Sequence, residues 1–401
     1  MNKRHILFLK DVFVIGVTAF GGPQAHLAMM QNLFVEKRKY LSNDELMEIS
    51  AMCSLLPGPG STQTIVAIAL RRGGVQLAIF TLLVWILPAS ILMAVLTILF
   101  SRWESKNLPT DFLQFVQPMA IGIIAYAGFK IGISVIKKMS SWVVMLFSLA
   151  LTLAFPSPIT FPLIFFGAGM ASNLYNKKTQ PRLIDQPRIN RLTSLYALGV
   201  FIAIFLAIAL VGAFTHHRSI VLFENFFRFG SITYGGGQVL VPMMFEQFVK
   251  HRHYLNADEF LGGLAINQAI PGPAFSLATF TGGMALNNGS IQSQLLGCLI
   301  GMTGIFLPSI LILIFVFPYW EYVRKFAFVA RSMEGINAAS TGMVLASAII
   351  LYSNFGFLWI NLAIVVCTFL ILNFTKIKAP LLVLIGLILG FVYTHFNQIS
   401  L

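Results

Sequence analysis

Apolar stretches of bilayer-spanning length alternate along this chain with short clusters of lysine and arginine. The clearest is VQLAIFTLLVWILPASILMAVLTILF, Val75 to Phe100. About 20 such residues suffice to cross a hydrocarbon core ~30 Å thick. Comparable runs near 111–135, 141–155, 158–175, 194–214, 291–317, 332–352, 356–373 and 379–396 predict further membrane helices. Two N-terminal apolar segments, 5–36 and 44–70, are of another kind. Each carries helix breakers at its midpoint, Gly21-Gly22-Pro23 in one and Pro57-Gly58-Pro59 in the other. Proline lacks the amide hydrogen that a helix needs, and glycine has the most backbone entropy to lose.

The breakers recur. Gly16 to Pro59 matches Gly230 to Pro273 without a gap, at a constant offset of 214 residues, with 17 of 44 positions identical. The shared residues include Gly21/Gly235, Gly22/Gly236, Gln24/Gln238, Asp44-Glu45/Asp258-Glu259 and the Pro-Gly-Pro triplet itself. Further on, WILPAS (Trp85 to Ser90) resembles IFLPSI (Ile305 to Ile310) after a short insertion. The chain is therefore written twice, which is the first thing to settle about any sequence.

Composition confirms the class. Apolar residues make up 57% and charged residues 10%, where soluble domains carry about 25% charged. Mean hydropathy is +0.82. A secretory signal is not expected, because Lys10 and Asp11 interrupt the apolar core such a signal needs. The 27 Lys and Arg against 14 Asp and Glu lie in short clusters between spans, which speaks for the positive-inside rule, or for some cations facing a path for anions, and against nucleic acid. Cys53, Cys298 and Cys367 sit in apolar surroundings without a CxxC pair and read as small buried hydrophobes, not metal ligands.

Loop charge sets orientation. The linker Tyr175 to Leu192 holds Lys177, Lys178, Arg182, Arg188 and Arg191 against Asp185 alone, so it is expected in the cytoplasm. Counting back, with a hairpin turning outside at Pro156-Ser157-Pro158, places Lys137-Lys138, Arg71-Arg72, Lys37-Arg38-Lys39 and the N-terminus inside too. That holds only if 5–36 and 44–70 each enter and leave by the same face, as re-entrant hairpins. The unmatched span near 194–214 then starts the second copy from the opposite face, leaving Lys250 and Arg252 outside and Arg324, Lys325, Lys376 and Lys378 inside. The expected fold is an all-α polytopic membrane protein of two inverted repeats, each with two re-entrant broken-helix hairpins followed by transmembrane helices. Its parts are a first repeat at 1–175, a basic linker at 176–193, a connecting helix at 194–219 and a second repeat at 220–401.

Broken helices at membrane depth are tolerated where protein or a water-filled cavity surrounds them, and paired inverted copies place a transport site between the repeats. A half-helix starting there presents free amides and a positive dipole end, which favours an anion. Candidate binding residues are Gly21, Gly22, Gln24, Gly58, Gly60, Ser61, Thr62, Gly235, Gly236, Gln238, Gly272 and Ser276, with Pro23, Pro57, Pro59, Gly237, Pro271 and Pro273 as the breakers. Pro23 stands where the second copy has Gly237. Arg228 is a candidate fixed positive charge, or else pairs with Glu224 at i, i+4 or reaches the interface. Lys130 is similar but nearer a span end. His26 could relay protons or simply be hydrogen-bonded, and Glu224 is a second candidate for proton or ion coupling. Asp44-Glu45 and Asp258-Glu259 are expected to cap helix N-termini.

With FGGPQAH, LLPGPGSTQT, YGGGQ and AIPGPAFSLATF in view, the sequence resembles the chromate ion transporter family of the long-chain, two-repeat type. The resemblance covers nearly the whole chain and implies two homologous halves of opposite orientation and efflux of chromate, a tetrahedral dianion shaped like sulfate. The expected function is a secondary active exporter of chromate or a related oxyanion across the cytoplasmic membrane, coupled to an ion gradient and contributing to chromate resistance. The alternatives are a sulfate or other small-anion importer or exchanger, an anion channel and, remotely, an intramembrane enzyme. No P-loop, HExxH or GxSxG motif is present, so neither an ATP site nor a catalytic centre is expected, and no cofactor. The coupling ion is left open, as is the oligomeric state, a homodimer being one option.

Overall fold

The computed structural model describes residues 2–20, 22–105, 114–157, 160–175, 191–214, 217–234, 236–320, 327–353, 359–375 and 377–399. Gly21, Gly235, Pro158, residues 176–190, Arg324, Lys325 and Lys376 lie outside the described residues, as does the side chain of Gln24.

The first copy opens with α1 (Lys3–Thr18), whose last turn gives way to extended backbone at Ala19. Helix α2 (Gly22–Met30) starts from Gly22 at φ +79° and widens into a π-helical stretch, Gln31–Lys37. The chain reverses at Lys39 (φ +53°) and enters α3 (Asn43–Leu55) through a capping box, Ser42 bonding the Glu45 amide while Glu45 bonds the Ser42 amide. After Pro-Gly-Pro comes α4 (Gly60–Ser105), interrupted by non-helical backbone at Gly73 and Gly74. The second arm of the 44–70 segment and the first long span thus form one broken element. Then follow α5 (Val116–Val135), α6 (Met139–Ala154), α7 (Thr160–Tyr175) and the connecting α8 (Arg191–Phe214).

The second copy repeats this backbone residue for residue. Helix α9 (Arg218–Ile232) ends in extended Thr233. Helix α10 (Gly237–Met244) follows Gly236 at φ +90° and widens into π-helix at Phe245–His251. His253 takes φ +52°, and Asn256 and Glu259 form the capping box of α11 (Ala257–Ala269). Apart from the first residues of α9 and α10, which come one position later, every one of these features sits 214 residues after its counterpart, and the capping expected of the two Asp-Glu pairs falls to their glutamates. Past the second Pro-Gly-Pro, a 3₁₀ turn (Ala274–Ser276) leads into α12 (Leu277–Ala285), then α13 (Ile291–Val316), α14 (Ala327–Ser353), α15 (Trp359–Phe374) and α16 (Ala379–Ile399).

The halves interlock. Helix α5 packs on α15 and α16 of the second half, while α14 packs on α6 and α7 of the first. At the centre the exchange is reciprocal. The Gly58 amide donates to Thr233 O at 2.7 Å, and the Gly272 amide donates to Ala19 O at 2.9 Å. Ala19 and Thr233 are themselves equivalent positions. When residue i of one copy meets j of the other and j meets i, the copies are related by a local twofold.

Polarity is inverted relative to a soluble protein. Phe147, Leu163, Phe166 and Ile388 are all more than 60% exposed, while Thr62, Gln63, Ser276, Ser309, Thr341 and Ser347 are buried. An exterior this apolar is stable against lipid and not against water. Among the described residues four helices are long and apolar enough to cross a membrane, within Gly60–Trp103, Val116–Ile133, Ile291–Tyr319 and Glu334–Ser353, with shorter apolar helices between and after them. Helices α6 and α15, at 16 residues each, reach about 24 Å at 1.5 Å per residue. One expectation is corrected: Cys53 and Cys298 are buried, but Cys367 lies exposed on α15, on the apolar outer face.

Some ionisable groups near the helix ends are partnered within their own copy, whereas Lys138 before α6 reaches across to Glu334 of α14 at 2.9 Å. Asp11, nearly buried on α1, accepts from Arg38 Nη2 at 2.9 Å and Tyr40 Oη at 2.6 Å. The Arg72 guanidinium lies 4.2 Å from the centre of the Tyr40 ring. In the second copy Asn225 replaces Asp11 and bonds Val221 O and Arg228 instead.

Candidate substrate cavity

The breaks of both halves meet around one cavity of about 740 Å³. From the first copy, Phe20, Gly22 and Pro23 line it at the glycine break, and Gly58, Gly60, Ser61 and Thr64 line it at and beyond Pro-Gly-Pro. From the second come Gly236 and Gln238 at the glycine break and Gly272 and Ala274 at the other. Helices α2, α4 and α10 all begin on this wall. The first amides of a helix have no intrahelical acceptor, so three N-termini direct N–H groups and positive dipole ends at the same space.

Glycine is required here for two reasons. Gly58 and Gly272 adopt φ +115° and φ +119°, a region that side chains disfavour. A Cβ on Gly58 would also collide with Ser309 Cβ, and one on Gly272 would lie 2.6 Å from Ala89 Cβ. Ala89 and Ser309 follow the paired prolines Pro88 and Pro308, so each Pro-Gly-Pro turn is seated on the long helix of the other half. Pro57 also helps to fix its turn, its carbonyl accepting from buried Gln63 Nε2 at 2.8 Å. Pro59 and Pro273 precede the first turns of the following helices, where a missing amide hydrogen is not needed. The two glycine breaks approach each other as well: a Cβ on Gly236 would sit 3.6 Å from Pro23 Cγ. Gly237, the counterpart of Pro23, packs against Ala274 Cβ at 2.6 Å from its own would-be Cβ.

The polar side chains divide into those on the wall and those behind it. Ser61 and Gln238 are on it. His26 is buried behind Ser61, its Nδ1 3.1 Å from Ser61 Oγ, and its ring meets Trp85 edge-on at 5.3 Å. Thr62 is also buried and accepts from Trp85 Nε1 at 3.0 Å. Its counterpart Ser276 is fully buried, and its Oγ has no hydrogen-bond partner among the described residues. The second copy has Ile305 where the first has Trp85, which removes the donor that Thr62 uses.

Arg228 and Glu224 are not among the residues lining the cavity. Arg228 Nη1 lies 3.6 Å from Glu224 Oε1, and Nη2 donates to Asn225 Oδ1 at 2.6 Å. The fixed charge on the wall comes from elsewhere. Among the described lining residues the charged ones are Lys130 of α5 and Lys378 before α16. Asn267, Gln268, Tyr126 and Asn337, with Ser50, Ser54 and Thr375, are also on the polar lining and were not singled out from the sequence. Asn267 could have been found by comparing the copies, since it replaces Cys53 at the same point of the repeat. It reaches across its own turn to Ala274 O at 3.1 Å, leaving Oδ1 without a partner among the described residues. No group of His, Cys, Asp and Glu among the described residues could hold a metal ion.

A family model described as Chromate transporter matches residues 6–172 and 220–391. An uncharacterized transporter of Methanocaldococcus jannaschii is 24% identical over 397 residues, spanning 98% of this chain and 96% of its own. The chromate transport protein of Cupriavidus metallidurans is 23% identical over 385 residues, 94% of this chain and 90% of that one. A chromate transport protein of Pseudomonas aeruginosa is 26% identical over 342 residues, with coverage of 83% and 78%. No solved structure matches the chain. The two matched segments are the two copies that meet around the cavity, and together they make up most of the sequence: the chain belongs to the chromate transporter family.

Proposed function

We propose that the protein is a secondary active transporter that carries chromate, or a related tetrahedral oxyanion, out of the cytoplasm at the expense of an ion gradient. The observation that carries this reading is the convergence of helix N-termini from both halves on one cavity, with Ser61 and Gln238 beside them. Amide and hydroxyl donors suit an oxyanion without a metal or cofactor. In this reading the breaks are re-entrant hairpins near the midplane, and the halves are inverted about an axis in the membrane plane. Residues 1–175 and 220–401 act as the two repeats, joined through a cytoplasmic linker at 176–193 and the connecting segment at 194–219. The positive-inside rule places the Lys137-Lys138 end of α5 and the turn before α16 in the cytoplasm. The part of the cavity wall formed by Lys130, Val135, Thr375 and Lys378 then faces the cytoplasm, as expected of an exporter poised to load.

Reporter tags inserted at Lys39 and Lys178 are expected to be cytoplasmic and one at His253 external; tags at 39 and 253 on the same side contradict the inversion. Ser61→Ala is expected to raise the half-saturating chromate concentration. Losing one hydrogen bond to a charged group costs about 1–2 kcal/mol, a factor of roughly 5–30. Ser276→Ala, behind the wall, is expected to leave it within about twofold. Initial-rate measurements across chromate concentrations compare the two. Direction and coupling are tested in inverted membrane vesicles with labelled chromate. An imposed proton gradient is expected to drive concentrative uptake into them. Uptake into whole cells in place of exclusion supports the importer instead.

A further inference from the structure

The cavity's charge is one-sided and split between the halves. Lys130 stands on α5 of the first half, its ammonium 5.7 Å from the centre of the Tyr126 ring, which also lines the wall. Lys378 belongs to the second half and closes the first turn of α16, its carbonyl accepting from the amides of Leu381 and Leu382. Lys378, Ala379 and Pro380 all line the cavity, so α16, 21 residues long, adds its N-terminal dipole beside the Lys378 charge. No Asp or Glu is among the described lining residues.

Resting on the transport reading above, we infer that Lys130 and Lys378 are the specificity-determining pair that selects a doubly charged oxyanion over a singly charged one. Charge selects here because shape cannot. Sulfate and perchlorate are both tetrahedral four-oxygen anions, and backbone amides accept either. Removing a dianion from water costs far more than removing a monoanion, since the Born penalty grows with the square of the charge. A neutral donor cradle therefore favours perchlorate. Two fixed ammonium groups reverse the order, because each interacts twice as strongly with the dianion. Their placement on opposite halves adds a consequence. The pair is shared across the interface that must rearrange during alternating access, so one bound dianion bridges both halves.

The test uses full-length protein in proteoliposomes, with labelled chromate as the transported probe and sulfate and perchlorate as competitors. Wild-type flux is expected to be inhibited at lower sulfate than perchlorate concentration, and half-saturation to rise with added inert salt as exposed charges are screened. Lys130→Gln and Lys378→Gln are each expected to raise half-saturating chromate roughly three- to tenfold. They should shrink the sulfate preference, and Arg at either position should restore it. Perchlorate inhibiting wild type as well as sulfate does overturns the inference without any variant. So do Gln variants that keep both half-saturation and competitor order. Absence of any wild-type chromate flux instead overturns the transport reading itself.

Discussion

Gly58→Val and Gly272→Val are each expected to abolish chromate flux while the protein still reaches the membrane in normal amount. Valine faces two obstacles at these positions. The backbone at φ +115° and φ +119° is a region β-branched residues scarcely enter. The added carbons must also enter space held by Ser309 Cβ in one case and Ala89 Cβ in the other. Relief comes only by moving the Pro-Gly-Pro turn off the partner half, which breaks the Gly58–Thr233 or Gly272–Ala19 hydrogen bond. The cavity wall is built on those turns. Insertion is unaffected because the insertion signal lies in the long apolar helices. Quantitative blots of membrane fractions, set beside flux, separate the two effects. Normal transport by both variants at wild-type abundance contradicts the assignment of the turns to the site.

Gly297→Leu is expected to do the opposite, losing the folded protein and not just its activity. Helices α12 and α13 lie in backbone contact: a Cβ on Gly297 would strike Gly282 O, one on Gly282 would strike Gly297 O, and one on Gly301 would strike Ala278 O. Small residues permit such approach between membrane helices, and a branched side chain forces the pair apart. Overpacking against rigid backbone on this scale costs more than about 3 kcal/mol. In size-exclusion chromatography the detergent-solubilised variant should lose its monodisperse peak. A monodisperse variant with wild-type thermal stability contradicts the close packing of α12 on α13.

The two mutations mark where the sequence could and could not be read. The repeat, the paired turns and the helix starts at the two Asp-Glu pairs were legible because their signals are local or are written twice. Ser42 with Glu45 and Asn256 with Glu259 lie three residues apart, and breakers inside apolar runs have few other uses. Side-chain destinations were not legible. Thr62 and Ser276 occupy the same place in their copies, yet one is engaged by Trp85 and the other has no partner among the described residues, Ile305 offering no donor. For Arg228 the sequence left several destinations open, and the structure takes the i, i+4 pairing with Glu224, with Asn225 as a further partner. The charges that do reach the cavity, Lys130 and Lys378, are 248 residues apart in sequence, as their numbers give. Only packing of α5 against α15 and α16 joins them, and no spacing rule records that.

The central claim is that the anion passes through this cavity, and site-specific protection tests it most directly. Ser61→Cys, made in a chain whose Cys53, Cys298 and Cys367 are replaced by Ala, places a reactive thiol on the wall. A membrane-impermeant thiol reagent applied from the cytoplasmic side is expected to block chromate flux, and sulfate, which does not oxidise thiols, is expected to slow the modification at concentrations that compete with transport. Modification at a rate indifferent to saturating sulfate, while sulfate still competes with chromate for transport, would contradict the account.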